Sequence, residues 1–123
     1  MRQRTKQFAL RIIRLCAAIP NNRAGDVIAR QILKSGTSIG ANYREALRAS
    51  SQRQFISIGE IAIREAEETN YWLELIREAE LIKPQLLEGL ADECNQLTAI
   101  LTATIKTAKV NLKAAGKEAN NST

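Results

Sequence analysis

Apolar residues recur at steps of three and four along four separate stretches of this 123-residue chain. The clearest series consists of Leu87, Leu90, Cys94, Leu97, Leu101, Ile105, Ala108 and Leu112. Such spacing places apolar side chains on one face of an α-helix, and that face must then pack against other helices. The chain is rich in alanine and leucine, which favour helix, and its two prolines lie where the apolar pattern is interrupted. The spacing therefore predicts an all-α fold.

Four predicted helices account for nearly the whole chain. The loops between them are short, so consecutive helices should lie side by side in opposite directions. The sequence thus predicts an antiparallel up-down-up-down four-helix bundle, with one domain over residues 1–115 and a disordered polar tail over residues 116–123. The predicted helices cover residues 5–19, residues 23–49, residues 52–79 after a cap at Ser51, and a stretch that begins at Pro84.

The second predicted helix contains a segment, residues 35–40, whose composition is typical of a turn. Either the helix breaks there, or it continues because the apolar spacing runs on across the segment. We favour the continuous helix, since Gly36 and Gly40 would let a neighbouring helix approach closely. Gly59 lies where an antiparallel partner would face Gly40. This placement predicts a tight contact between helices two and three.

The chain contains no histidine, which excludes histidine-dependent catalytic triads and the usual zinc sites. Cys16 and Cys94 lie far apart on apolar helix faces, so we predict two buried free thiols in a reducing compartment. The sequence shows no signal peptide and no apolar run of membrane-spanning length. We expect a cytoplasmic protein that binds no membrane, is not an enzyme, and uses no metal or cofactor.

Positive charge is concentrated in the first two predicted helices. The overall net charge is +5, but residues 1–58 carry +9, residues 59–95 carry −7 and residues 96–123 carry +3. On helix two, five basic residues share an arc of about 80° opposite the apolar face and span about 38 Å. Three more lie on the flank of helix one, and a phosphate backbone could follow such a row. The predicted nucleic-acid-binding surface, the basic stripe, consists of Arg4, Arg11, Arg14, Arg23, Arg30, Lys34, Arg44 and Arg48.

The basic stripe also has two other interpretations. It can be a solvated face, or it can pair with an acidic face of helix three in the same chain or in a neighbouring subunit. The acidic face consists of Glu60, Glu67, Glu74 and Glu78. Phe8, Phe55 and Trp72 fall on core sides, so we expect no platform for stacking bases, and any nucleic-acid binding would be directed at the backbone.

Glu65 is the one acidic residue predicted to face inward on helix three. Antiparallel pairing would bring it near Ser35 and Ser38 of helix two. Because a buried carboxylate needs hydrogen-bond donors, we predict a structural polar network there rather than a catalytic site. The predicted network consists of Ser35, Ser38, Asn42 and Glu65.

Two motifs resemble those of a known bacterial family. The segment QILKSGTSIGANYREA at residues 31–46 resembles the signature of the four-helix-bundle proteins called 23S rRNA intervening-sequence proteins. The segment REAEE at residues 64–68, followed by YWL at residues 71–73, resembles the second motif of that family. The resemblance covers about residues 5–112. It implies a bundle that assembles as a ring-like homopentamer, and it supplies no catalytic residues.

The chain is also similar, more remotely, to the accessory variability determinant of diversity-generating retroelements. That similarity implies a basic pentamer that binds a reverse transcriptase and nucleic acid. Together with the basic stripe, it leads us to expect a non-enzymatic homo-oligomeric binding module that engages RNA or DNA. The alternative is a protein-interaction scaffold, such as an accessory subunit of a retroelement reverse transcriptase, in which the same surface docks on an acidic partner.

Overall fold

The computed structural model describes the backbone of residues 1–121 and the side chains of residues 1–118. The described residues form four long helices and one 3₁₀ helix, and no strand. Consecutive long helices pack against each other, and α1 also contacts α4, so the predicted four-helix bundle is confirmed. The helices are α1 (Arg2–Ala18), α2 (Arg23–Leu47), α3 (Gln52–Glu78) and α4 (Leu90–Asn121), with the 3₁₀ helix at Pro84–Leu87.

The core consists mainly of aliphatic side chains. Each helix contributes one row of buried side chains, and burying these rows is the main force that holds the bundle together. The principal core contains Phe8, Ile12, Leu15, Ile19, Ile32, Ile39, Ala62, Ala66, Leu73, Ile76, Leu90, Cys94, Leu97 and Leu101. None of the described helices combines the length and the apolar character that a membrane crossing requires.

Helices α2 and α3 begin at capping residues. The Asn22 side chain accepts a hydrogen bond of 2.8 Å from the backbone N–H of Gly25, and Ser51 accepts one of 3.1 Å from the N–H of Gln54. These bonds satisfy amide groups that the first turn of a helix leaves free. Gly25 also lies against the carbonyl oxygen of Pro20, where a Cβ atom would clash. The chain can therefore reverse direction tightly between α1 and α2.

Helix α2 is continuous through residues 35–40, so the alternative of a break there is wrong. The glycines allow a close approach, but to a different neighbour from the one predicted. A Cβ atom at Gly36 would lie 2.9 Å from Ile12, and one at Gly40 would lie 3.0 Å from Thr5, so both glycines face α1. Gly59 faces Ile105 of α4. The predicted glycine contact between helices two and three is therefore wrong, because the glycines lie on the sides of α2 and α3 that meet the outer helices.

Pro84 does not begin the fourth helix. It starts the 3₁₀ helix, and the chain then turns at Gly89, whose φ of +78° is readily adopted by glycine, before α4 starts at Leu90. Leu87, placed in the fourth helix by its spacing, lies in the 3₁₀ helix and still packs on the core. The prediction failed here because a proline suits the first turn of both kinds of helix.

Helix α4 is the longest element, and α1 covers only its beginning. With 17 residues in α1 and 32 in α4, the helices are about 25 Å and 48 Å long. Arg4, near the start of α1, already lies beside Glu93 and Gln96. The helix continues to Asn121, so residues 116–121 are helical rather than irregular, while residues 122 and 123 lie outside the described residues. The domain boundary at residue 115 stays a prediction.

Candidate nucleic-acid interface

Helix α2 presents its basic residues along one exposed face. All five side chains are exposed, and within the described residues none of them forms an ion pair. Because α2 is unbroken, they follow one line of about 38 Å. Unpaired cations in such a row leave their charge available to an external anion. We call this surface the α2 stripe; it consists of Arg23, Arg30, Lys34 and Arg44 on the helix and Arg48 at its C-terminal cap.

The basic residues of α1 do not join the α2 stripe. Arg4 donates from Nε and Nη2 to the Glu93 carboxylate at 2.8 and 2.7 Å, and from Nη2 to Gln96 at 2.6 Å. This bidentate pair holds the pKa of Glu93 below its ordinary value. Arg11 donates to the backbone carbonyl of Glu88 at 3.0 Å. Arg4 thus ties α1 to the start of α4, and Arg11 ties α1 to the segment just before it.

Arg14 is exposed but also faces away from α2. It lines a groove with Leu86 and Leu90, on the side of α1 that meets the 3₁₀ helix and α4. The structure therefore divides the eight residues of the predicted basic stripe into two groups. The five of the α2 stripe share one surface, and the three of α1 belong to another.

The predicted polar network forms only in part. The hydroxyls of Ser35 and Thr69 share a hydrogen bond of 2.9 Å between α2 and α3, and Thr69 also donates to the Glu65 carbonyl at 2.7 Å. Ser38 donates to the carbonyl of Lys34, and Asn42 donates to that of Ser38 at 2.8 Å. These two bonds stay within α2. Thr69 was not among the predicted members of this network.

The Glu65 carboxylate is left without the donors predicted for it. Its Oε2 atom is buried and has no hydrogen-bond partner within the described residues. Burial raises the pKa of Glu65, and the nearby Glu68 charge adds to the effect, while Lys34 and Arg64 oppose it. The serine hydroxyls are unavailable because serine in a helix readily bonds to the carbonyl one turn earlier.

Neither cysteine is arranged for reactivity or metal binding. Cys94 is buried with its thiol 3.2 Å from the Ala66 carbonyl, and burial raises its pKa to about 12. Cys16 is half-buried beside the Ala29 carbonyl, and burial raises its pKa as well. Both are free thiols. Among the residues that the structure describes, no three potential ligand side chains cluster into a metal site.

The acidic face predicted on helix three is exposed over most of its length. Glu67, Glu74 and Glu78 are exposed and, in the described part of the chain, unpaired, whereas Glu60 forms an ion pair of 3.4 Å with Lys109. Tyr71 projects from the same face and packs edge-on against Trp72, with ring centres 5.1 Å apart. The acidic face and the α2 stripe therefore do not pair within one chain.

A second basic surface lies on α4 and was not among the predicted sites. The spacing of Lys106, Lys109, Lys113 and Lys117 places them within an arc of about 80°. All four are exposed. The net charge of +3 over residues 96–123 was visible in the sequence, but only the helical spacing shows that the lysines share a face.

The fold and this site define a class: an all-α four-helix bundle with a row of unpaired basic residues along its second helix. The chain belongs to the 23S rRNA-intervening sequence protein family, whose model matches residues 1–103. It is similar to a protein of unknown function from the S23 ribosomal protein family of Bacteroides thetaiotaomicron, with 40% identity over 85% of this chain and 97% of that chain, and a TM-score of 0.79. No curated protein matches the sequence.

Proposed function

We propose that this protein is a non-enzymatic, oligomeric, cytoplasmic binding module that holds RNA or DNA against the α2 stripe. The observation that carries the proposal is the straight row of five exposed and, among the described residues, unpaired basic side chains. Cations in a row release counterions from a phosphate backbone, and this release supplies most of the affinity of sequence-independent binding. Recognition would be directed at phosphates, because the α2 stripe includes no aromatic side chain on which bases could stack.

Assembly into a homo-oligomer is part of the proposal. Large apolar side chains are exposed on the first two helices, among them Ile13 of α1 and Val27 and Leu33 of α2. The resemblance to the 23S rRNA intervening-sequence proteins implies a pentamer. A ring of copies would present several α2 stripes to one nucleic acid, and such multivalency strengthens weak contacts.

The test is fluorescence polarisation with a labelled RNA hairpin and a labelled single-stranded RNA at low salt. We expect Arg30→Glu/Lys34→Glu to weaken binding about tenfold or more, because two phosphate contacts become repulsive. The matched control is Arg2→Glu/Lys6→Glu, which makes the same charge change on exposed residues of α1. Equal losses in both variants, or no binding by the unaltered protein, would refute the proposal.

The second candidate is a protein-interaction scaffold, such as an accessory subunit of a retroelement reverse transcriptase. The exposed acidic side chains Glu67, Glu74 and Glu78 support it, since they offer the α2 stripe a complementary surface on another subunit. Light scattering separates the two candidates. An oligomer that survives Arg30→Glu/Lys34→Glu while RNA binding is lost supports the nucleic-acid module, and dissociation to monomers supports the scaffold.

A further inference from the structure

The end of the bundle that α1 does not reach contains an open groove between α3 and α4. The groove has a volume of about 470 Å³ and lies between the first turns of α3 and the second half of α4. We call it the α4 groove and define it by Arg53, Ile56, Lys109, Leu112 and Lys113. Helices α2 and α4 are diagonal in the bundle, so this groove is separate from the α2 stripe.

The floor of the α4 groove is apolar. Ile56 and Leu112 belong to a second apolar cluster, distinct from the principal core, that also contains Ile105 and Ala108. Leu112 is only half-buried, so part of this cluster is open to an outside partner. Gly116 leaves one end of the groove unobstructed, since no described atom beyond its chain neighbours and the nearby backbone of its own helix lies within 4 Å of where its Cβ would be.

The rim of the α4 groove is cationic. Arg53, Lys109 and Lys113 are exposed around the apolar floor, and Lys106 and Lys117 extend the positive charge along α4. The one acidic residue that lines the groove, Glu60, is already engaged by Lys109 at 3.4 Å. The four lysines span about 17 Å, the length of about three helical turns.

We propose that the α4 groove binds an acidic amphipathic helix of a partner protein. Such a helix has apolar side chains at intervals of three and four residues that would pack on the floor. Its carboxylates would pair with the cations of the rim, so the helix complements both the apolar and the charged part of the groove. A phosphate backbone would use only the rim, because Ile56 and Leu112 provide no polar contact for it. Among the described residues, no aromatic side chain lines the groove for base stacking. This inference is independent of the proposed function of the α2 stripe.

The probe for the test is a synthetic 14-residue helical peptide with leucines at intervals of three and four and glutamates on both flanks. A scrambled peptide of the same composition controls for charge alone. We expect the ordered peptide to bind the full-length protein and Arg53→Glu/Lys113→Glu to weaken that binding about tenfold, because two attractive charges become repulsive. The matched control, Arg30→Glu/Lys34→Glu, should leave peptide binding unchanged, and circular dichroism confirms that both variants are folded.

Four results would overturn the proposal. If the scrambled peptide bound as well as the ordered one, or if the α2 control variant lost as much affinity as the groove variant, charge alone would attract the peptide. Competition by the RNA hairpin for the groove, abolished by Arg53→Glu/Lys113→Glu, would assign the surface to nucleic acid. Loss of self-association in that variant, measured by light scattering, would assign it to a second copy of the chain.

Discussion

Glu65 is the residue whose surroundings fit its charge least well. Its Oε2 atom is buried without a donor in the described part of the chain, and burial raises its pKa. Lys34, Arg64 and Glu68 are the charged groups that act on it, and the two bases only partly offset burial. The folded chain therefore holds the Glu65 proton more tightly than the unfolded chain does.

Because the folded chain binds the Glu65 proton more tightly, the stability of the protein depends on pH. Below the ordinary glutamate pKa of 4.5, Glu65 is protonated in both the folded and the unfolded chain, so it lowers the free energy of unfolding little. As the pH rises through the raised folded value, the folded chain must ionise a buried group, so stability falls. We predict that Glu65→Gln stabilises the protein relative to the unaltered chain by on the order of 1 kcal/mol at neutral pH, with little gain near pH 4.

Urea unfolding followed by circular dichroism at both pH values measures this effect. Glu67→Gln is the matched control, since Glu67 is exposed on the same helix, and it should show no such pH-dependent gain. If Glu65→Gln instead lowered stability at neutral pH more than near pH 4, the ionised carboxylate would have a stabilising partner, and this account would be wrong.

At the scale of the elements, the packing of α1 on α2 depends on two glycines. Gly36 and Gly40 lie one turn apart and meet Ile12 and Thr5 of α1. Thr5 is fully buried at this contact and donates its hydroxyl to the backbone carbonyl of Met1 at 2.8 Å. The first helix can approach α2 this closely only because neither position carries a side chain.

We predict that Gly36→Ala destabilises the protein by about 1–2 kcal/mol, because the methyl group would have to displace Ile12. The better helix propensity of alanine, about 1 kcal/mol, offsets part of the larger steric cost. Urea unfolding measures the change. Gly116→Ala provides the control, since it gains the same propensity and meets no neighbouring atom, and it should not lower stability. A stabilised Gly36→Ala variant would show that α1 adjusts freely.

At the scale of the whole molecule, basic charge lies on two diagonal helices. The α2 stripe faces one side of the bundle, and the lysines of α4 lie on the other diagonal helix. Two of the three α1 arginines in the predicted stripe instead hold α1 to the beginning of α4 and to the segment just before it. A single straight polyanion can therefore follow only one of these surfaces on one subunit.

The number of cations in the α2 stripe predicts how strongly salt weakens RNA binding. Five phosphate contacts per subunit give a slope of log affinity against log salt of about −4. Replacing two of them in Arg30→Ala/Lys34→Ala should reduce the slope by about 1.5. Fluorescence polarisation between 50 and 200 mM KCl measures both slopes. The protein concentrations are chosen so that the oligomeric state does not change over this range. A slope near zero, or one unchanged in the variant, would contradict this account.

Much of the fold could be predicted from the sequence because it depends on local patterns. The apolar spacing predicted the four helices, and Ser51 caps α3 as expected. The start of α4 was missed, since Pro84 favours the first turn of a 3₁₀ helix as well as that of an α-helix. The exposure of the α2 stripe was predictable for the same local reason: its residues lie opposite the apolar face of one continuous helix.

The sequence by itself determined the helices, the identity of the core residues and the charged faces, because each of these follows from the order of residues along one helix. Only the tertiary structure decided which helices meet at which faces. It turned Gly36 and Gly40 towards α1, engaged Arg4 with Glu93, and left the buried Oε2 atom of Glu65 without a partner among the described residues. Contacts between helices depend on the rotation and register of both partners, and the periodicity of a single helix contains neither.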